Sequence, residues 1–478
     1  MTDITPTSSK KLTSRLSQAL ESGAQEGPIV LTDSEDEDEF VKKYGDIDFQ
    51  YIKRPRTSFW FTRPHALNYF QDGVLYRTKG ERSSTKTELF LDLMYVGIIA
   101  NLAGDATEHA GWGALLKYIL LFVAVWTVWC DIKDFTNYYY NEDLSQKVYI
   151  LWILALLTVF CNNQTQILAN RSGAAFVVGP YILCRVSLAL GLFVYTFWIP
   201  EHRVQQRVYS ATIMVTSCLW IIVVFVGTRA KIGLAVAIMV LENVCFVTCF
   251  TPWFKRQLGL TTSTALNIEH EVERFSVFVT IAIGEFLYKI VAGGDLDLGF
   301  QVHLWRGLLL LVDAYVLFWI YSYGSMARRA THALRHSAFR AVSWIYLHLP
   351  LVASIVLAAD AGGDLVSINE TKEAEEAEEA VDITAVKFFF TGGLCVALVS
   401  MGLLGLTDDP KDPPETYIVG RFWRVVFRIP VGVIVLVLPF GDLGITGIMG
   451  VATILMVVLL VWESVSGTPK NCLFGGSR

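Results

Sequence analysis

The stretch that decides the fold is TKTELFLDLMYVGIIANLAG, residues 85–104. It is apolar enough for a transmembrane helix, yet Glu88 and Asp92 lie four residues apart, which places both carboxylates on one helix face. Acids stabilise the positive end of a helix dipole, so Glu88 is explained as an N-terminal cap. Asp92 lies a full turn deeper. We therefore predict that Asp92 faces inward, either in an entry vestibule or in a clamp to Arg274 or Arg185.

The composition of the whole chain is that of a membrane protein. Of its 478 residues, 53% are hydrophobic and only 18% are charged, whereas soluble domains carry about 25% charged residues. Many apolar runs reach the roughly 20 residues that cross a bilayer. These features predict an all-α, polytopic helical membrane protein with about twelve transmembrane helices. The predicted spans are 87–104, 112–130, 147–168, 174–199, 207–227, 231–251, 274–292, 304–323, 338–358, 385–406, 421–440 and 443–463.

The chain divides into four predicted regions. Residues 1–50 are polar, contain the acidic run LTDSEDEDEF, and are predicted to be a disordered tail. Residues 51–86 mix basic and aromatic side chains, a composition typical of a membrane-surface segment. The transmembrane domain follows over 87–463, and 464–478 form a C-terminal tail. No cleavable signal peptide is predicted, and the oligomeric state is left open.

The distribution of Lys and Arg predicts that both termini are cytosolic. Basic residues cluster before the first span and after the eighth span. These residues are Arg77, Lys79, Arg82 and Lys86, and then Arg328, Arg329, Arg335 and Arg340. The first loop on the other side, DATEHAG, has no Lys or Arg. The glycosylation triplets at Asn170 and Asn369 both fall in loops assigned to the outside, although Asn170 is close to the predicted bilayer surface.

The sequence gives no support for several function classes. No basic domain or reader motif for nucleic acid occurs. Seven of the eight cysteines fall in or at the ends of apolar runs, which argues against a disulfide framework or a zinc site. His332 and His336 have metal-ligand spacing, but they lie in a basic loop, and a solvated loop is the better interpretation. We therefore predict no metal and no cofactor.

Five predicted spans carry an ionisable side chain close to the middle of the bilayer. These side chains are Arg185, Glu242, Glu285, Asp313 and His348. A charge at that depth costs roughly 2.5–3.5 kcal/mol, so we expect the five groups to face one another or a shared wet cavity. Structural pairing is the alternative. Lys289 can neutralise Glu285 along one helix, Arg185 can hold Glu242 or Asp313, and a lone histidine can serve helix packing.

The charge balance of this group favours ion handling. Glu242, Glu285 and Asp313 face only Arg185 and Lys289, which leaves one surplus acid. A surplus acid near the midplane suits a proton or monovalent-cation site. The leading hypothesis is a proton-coupled or cation-handling transporter or ion pathway, in which Asn101 lies further along the first span. A membrane-embedded enzyme acting on lipid and a non-transporting scaffold or sensor are the alternatives. Whether the protein is an enzyme is left open, and a protein without enzymatic activity is favoured.

A faint internal repeat connects the two halves of the chain. TELFLDLMYVGIIA (87–100) and VERFSVFVTIAIGE (272–285) begin alike, and each precedes a Trp-rich span. Six spans separate Glu88 from Glu273, so the two halves would have the same orientation. The pattern predicts two six-helix parallel repeats related by an axis along the membrane normal.

Several separated motifs resemble one known family. ELFLDLMYVGIIANL (88–102) is similar to the ELFFDLVFV signature of the low temperature requirement A (LtrA) proteins, and HEVERFSVFVTIAIGE (270–285) resembles their second signature. DFTNYYYNEDLSQKVYILW (134–152) and YLHLPLVASIVLAADAGG (346–363) resemble two further family blocks. The resemblance covers roughly residues 80–463. The ERSSTKTELF beginning and the acidic tail look like the fungal branch.

The resemblance transfers family positions to this chain and implies a multi-pass membrane protein linked by name to growth in the cold. The positions that match family motifs are Glu88, Asp92, Glu273, Arg274, Glu285 and His348. Ile283 replaces the usual Leu before the Gly284-Glu285 pair. Phe286 follows the pair where small residues are common, so the resemblance implies a tighter site here. The resemblance supplies no reaction.

Overall fold

The structure is a computed structural model, and it describes most of the chain between residues 48 and 468. The described residues are 48–52, 58–78, 82–139, 141–292, 301–323, 334, 337–368, 382–407 and 417–468. Several predictions fall outside them. These concern most of the acidic tail, the last ten residues, Lys79, Arg328, Arg329, His332, Arg335, His336 and Asn369.

Twelve helices of the described residues are long and apolar enough to cross a bilayer, which confirms the predicted fold class. They are α1 Lys86–Glu108, α2 Trp112–Tyr139, α3 Leu144–Asn163, α4 Arg171–Tyr195, α5 Arg203–Phe225, α6 Thr228–Phe250, α7 Ile268–Ala292, α8 Val302–Tyr323, α9 Ala338–Ser367, α10 Ile383–Thr407, α11 Arg421–Phe440 and α12 Ile445–Ser466. A 3₁₀ turn, Gln164–Gln166, follows α3, and a short helix, Pro252–Gln257, follows α6. α11 consists of two helical pieces and a terminal 3₁₀ turn.

Two helices extend well beyond their predicted ends. α2 continues to Tyr139 rather than 130, and α9 continues to Ser367 rather than 358. The additional turns contain Asp131, Lys133 and Asp360, which hydropathy assigns to loops. In the structure these three side chains are buried and each contacts an oppositely charged group on another helix. A transmembrane helix can therefore continue through charged residues when each charge is paired with an opposite charge on another helix. Composition alone does not reveal such pairs.

A small four-stranded sheet lies beside the helices and was not predicted. Its strands are β1 Phe49–Ile52, β2 Asn68–Gln71, β3 Val74–Thr78 and β4 Thr262–Thr264, in the order β1-β3-β2-β4. β1 runs parallel to β3, and the other pairs are antiparallel. The basic and aromatic composition of residues 51–86 predicts a membrane-surface segment and gives no indication of a sheet.

The hairpin between β2 and β3 has a sequence signal that was overlooked. Asp72 and Gly73 form its turn with φ angles of 49° and 89°. Positive φ at both central residues is the geometry of a type I′ turn, for which Asp-Gly is a preferred pair. β4 could not be predicted in this way, because it joins the sheet from a distant part of the chain.

The N-terminal halves of α1 and α7 pack together with α2 around an aromatic cluster. Trp126 and Trp129 of α2 contact Phe275 and Phe278 of α7, and the rings of Trp129 and Phe278 stack with centroids 4.4 Å apart. Buried aromatic rings of this kind fix the rotation of their helices because their contact geometry is directional. The proposed parallel repeat, whose two segments lie in α1 and α7, remains a prediction.

Candidate functional site

The opening motif forms a capping box at the start of α1. Thr85 accepts a hydrogen bond from the Glu88 amide (3.3 Å), and the Glu88 carboxylate accepts one from the Thr85 amide (2.8 Å). The other carboxylate oxygen contacts Arg82 (3.3 Å) and His270 Nε2 (3.0 Å). Glu88 therefore caps its own helix and connects it to α7.

Asp92 forms a buried ion pair with Arg274 of α7. The two side chains share hydrogen bonds of 2.6 and 2.8 Å, and Trp129 Nε1 donates a third one to Asp92 at 2.9 Å. All three residues are buried. Of the two partners considered from the sequence, the structure selects Arg274, while Arg185 lies elsewhere. A bidentate pair with a third donor neutralises the Asp92 charge and fixes α1 against α7 and α2.

A second buried pair in the same region was missed by the sequence analysis. Lys133 of α2 contacts Glu271 of α7 and also Asp134, at 2.8 Å. Asn137 donates a hydrogen bond to the backbone carbonyl of Asn267 at 3.1 Å. The hydropathy boundary at residue 130 concealed these groups. Their spacing along α2 is the signal that could have revealed them, because Lys133 and Asn137 share a helix face.

Glu273 has a more peripheral place than Arg274. It accepts a hydrogen bond from the Ser84 amide at 3.1 Å and is only partly buried. This contact ties the segment before α1 to α7. Together with the Glu88, Asp92 and Glu271 contacts, it joins the N-terminal ends of α1 and α7. We call this set of contacts the ionic layer.

Arg185 and Glu242 lie close together, as expected from the alternative in which Arg185 holds Glu242 in a structural pair. Arg185 of α4 contacts Asp131 of α2, and its Nε lies 3.7 Å from Glu242 of α6. Glu242 also accepts hydrogen bonds from Tyr181 (2.7 Å) and Trp220 (3.1 Å). This cluster contains two acids and one arginine, and its polar groups are directed at one another.

Asp313 and His348 lie in two further places. Asp313 is fully buried in α8, and neither carboxylate oxygen has a hydrogen-bond partner among the described residues. The hydroxyl of Thr453 lies beside it but donates to the carbonyl of Met449. His348 Nδ1 lies 2.8 Å from the Trp344 carbonyl, so this nitrogen carries the proton.

One histidine outside the spans is held neutral. Burial lowers the pKa of His202 to about 3, and Tyr139 lies within hydrogen-bond distance of its Nδ1, at 2.8 Å. His202 is therefore a neutral imidazole near neutral pH.

Glu285 lines a large cavity between α1, α3, α7 and α9, which we call the lateral cavity. Its volume is about 1220 Å³. Glu285 is only 6% exposed, and its Oε1 has no hydrogen-bond partner among the described residues. Lys289 contacts Asp360 of α9 rather than Glu285. The structure therefore does not show the alternative in which Lys289 neutralises Glu285 along α7.

The polar half of the lateral cavity is strongly acidic. Its charged and amide residues include Asn101, Asp105, Glu108, Asn162, Gln164, Glu285, Lys289, Asp360 and Asp364. Among the described lining residues, five carboxylates face the single ammonium of Lys289. Asp105 is bonded to Lys117 at 2.7 Å, and Asp360 accepts a hydrogen bond from Thr107. Asn101 lies 3.1 Å from the Cys161 thiol.

The expectation of one cavity shared by all five midplane groups is not met. Arg185, Glu242, Asp313 and His348 are absent from the described lining of the lateral cavity. The reason is that a sequence fixes how deep a residue lies along its helix, but not the direction in which that helix face points. Conversely, four acids of the cavity were missed because the predicted first and ninth spans ended at 104 and 358, before Asp105, Glu108, Asp360 and Asp364.

Comparison with known proteins gives the family. The family described as bacterial low temperature requirement A protein (LtrA) matches residues 83–462. The chain belongs to the LtrA family. The LtrA match includes α1 to α11, most of α12, and all residues named above from the lateral cavity and the ionic layer except Arg82.

A relative of this LtrA protein is known by sequence. An uncharacterized protein from Rhizobium meliloti (strain 1021) is 22% identical over 281 residues, which cover 57% of this chain and 67% of the relative. No solved structure matches the chain. Among the described residues of this LtrA protein, no group of three or more His, Cys, Asp or Glu side chains could hold a metal ion.

Proposed function

We propose that this LtrA protein is a secondary transporter or ion pathway for protons or monovalent cations, with Glu285 of the lateral cavity as the coupling acid. The observation that carries the proposal is a carboxylate that is 6% exposed, has an unpartnered oxygen and lines an open cavity. Buried acids within spans are costly and mark ion or proton paths when they face water.

The neighbouring charges support Glu285 rather than Asp360 as the exchanging group. Asp360 is matched by Lys289 and Thr107, so a change in its charge would break existing contacts. Glu285 has no comparable match. When protonated it is neutral, and when it releases the proton to cavity water it presents a charge that a monovalent cation can bind. Competition between a proton and a cation at one carboxylate is the simplest form of coupling.

The ionic layer would close one end of the proposed ion path. Asp92–Arg274 and Glu88–His270 join α1 to α7 near their N-terminal ends, whereas the polar half of the lateral cavity lies near the C-terminal ends of the same two helices. Access from the other side of the membrane would require these contacts to separate. Movement of helix bundles around a fixed central site is the usual basis of alternating access.

Flux measurements with the purified protein test the proposal. The full chain is reconstituted in liposomes containing a pH-sensitive dye, and gradients of Na⁺, K⁺ or Li⁺ are imposed. We expect cation-driven proton movement, reduced by about tenfold or more in Glu285→Gln because the amide cannot exchange a proton. Glu285→Asp should retain part of the flux. Glu142→Gln, which changes an exposed acid outside the cavity, should leave it intact.

Two results would overturn the proposal. One is wild-type protein that moves no proton with any of the three gradients. The other is a Glu285→Gln variant that elutes as the wild type in gel filtration and transports at the same rate. Either result would favour a scaffold or sensor, in which the buried ion pairs only fix the helices.

A further inference from the structure

The lateral cavity continues from its acidic half into an apolar half. The apolar half is lined by Leu93, Val96, Gly97, Ala100, Ile281 and Gly284. These residues lie nearer to the N-terminal ends of α1 and α7 than the acids do. Leu93 is 59% exposed, and on a membrane-spanning helix an exposed apolar side chain contacts lipid. The apolar half is therefore a groove that opens sideways into the bilayer.

The two glycines of this groove are not required for helix packing. Gly97 and Gly284 lie in the interiors of α1 and α7, where glycine costs about 1 kcal/mol relative to alanine. Glycines in membrane helices ordinarily permit a close approach of another helix. A Cβ at either position would meet nothing within 4 Å, and both residues are exposed. What these glycines provide is open space along the wall of the groove.

Glu285 lies at the junction of the two halves. It follows Gly284 directly, so the carboxylate with the unpartnered oxygen is adjacent to the open groove. The described lining of the cavity has five carboxylates, Glu285 included, against the ammonium of Lys289. Because Asp105 is also paired with Lys117, three excess negative charges are left when all are ionised. Positive charge is thus favoured at one end of the cavity and apolar chain at the other.

We infer that the ligand of the lateral cavity is an amphiphilic organic cation, with its ammonium head beside Glu285 and its alkyl chain in the groove past Gly97 and Gly284. The inference rests on the proposed function, since it names the substrate class of the same site. An amphiphilic anion would place its head among the acids. A small inorganic cation would leave the groove without a role.

Binding in lipid nanodiscs tests this ligand class. The probe is radiolabelled dodecyltrimethylammonium below its micellar concentration, and binding to empty nanodiscs is subtracted. We expect saturable binding to the full-length protein. Tetramethylammonium, which lacks the chain, and dodecyl sulfate, which carries the opposite charge, should not compete at equal concentration.

Groove-filling variants locate the alkyl chain. Gly97→Leu and Gly284→Leu place a side chain in open space, so we expect folded protein whose affinity for the probe falls by about tenfold or more. Gly233→Leu is the matched control. Gly233 is also an exposed helix glycine with nothing within 4 Å of its Cβ position, but it lies in α6, outside the described lining of the lateral cavity. This variant should bind as the wild type does.

The outcomes separate this inference from the proposed function. Absence of saturable binding, or equal binding by the Gly97→Leu and Gly284→Leu variants, overturns the inference even if cation-driven proton flux is present. Saturable binding that requires the groove, in a protein without proton flux, supports the inference as a binding site and overturns the transport proposal.

Discussion

Asp92 shows how a buried carboxylate can be fully matched by its neighbours. Its carboxylate meets three donors from Arg274 and Trp129, so its desolvation is offset by a complete set of partners. Glu285 differs in this respect, because one of its oxygens has no partner among the described residues. The distinction between the two acids is one of contacts, since both lie in apolar helices and both match family motifs.

Replacing Asp92 by Asn tests the structural role of the pair. The substitution keeps the shape but leaves the buried Arg274 charge unmatched, which costs about 3–5 kcal/mol for pairs of this kind. We therefore expect a clear loss of stability in Asp92→Asn. Unfolding in mixed micelles, followed by tryptophan fluorescence, measures it.

The matched control for this prediction is Asp105→Asn. The Asp105–Lys117 pair is partly exposed, with side-chain exposures of 15% and 19%, so its loss should cost about 1 kcal/mol or less. Equal stability losses in the two variants would contradict the role given to the Asp92–Arg274 pair.

At the scale of helices, glycine has two opposite uses in this protein. In the lateral cavity, glycine leaves open space beside the helix. Between α9 and α10, glycine allows the two helices to pack closely. A Cβ on Gly393 would lie 2.8 Å from the Ala358 Cβ and 2.8 Å from the Ser354 carbonyl oxygen. Both neighbours belong to α9, so the close approach of these helices depends on the missing side chain.

We expect Gly393→Ala to destabilise the protein by about 1–3 kcal/mol, because the α9 backbone must move to make room. Gly392→Ala provides the comparison. Its Cβ would lie 3.7 Å from a Leu436 methyl group, an ordinary contact, and alanine favours the helix. The thermal unfolding midpoints of the two variants, measured in the same detergent, check this. A Gly393→Ala variant as stable as Gly392→Ala would contradict the packing described here.

At the scale of the whole molecule, the number of spans determines how the termini are related. We predict that both termini lie on the same side of the membrane, because the described residues contain an even number of candidate spans, twelve. The distribution of Lys and Arg predicts that this side is the cytosolic one. The candidate glycosylation residue Asn170 is the N-cap of α4, where its side chain accepts a hydrogen bond from the Gly173 amide at 2.6 Å.

Expression in a glycosylating eukaryotic cell tests this topology. We expect epitope tags on both termini to be accessible only from the cytosolic side. Glycosidase should reduce the apparent mass by one glycan, and the shift should be lost in Asn369→Gln but kept in Asn170→Gln, because Asn170 lies too close to the bilayer. Tags on opposite sides of the membrane, or an unmodified Asn369 in a correctly targeted protein, would contradict the prediction.

The sequence by itself determined the fold class, the number of spans, the family and the cap at Glu88. Each depends on local information, namely apolar length, the spacing of motifs and the residues within one helical turn. The sequence also indicated that Asp92 and Glu285 are not ordinary core residues, because both are acids within apolar helices.

Only the tertiary structure decided which charges meet. In the structure, Asp92 pairs with Arg274 rather than with Arg185, and Lys289 pairs with Asp360. Glu285 lies in a cavity that the other midplane groups do not line. The physical reason is that depth along a helix follows from residue number, whereas the partner of a side chain depends on the rotation and neighbours of every helix around it. Those are set by packing between residues far apart in the chain.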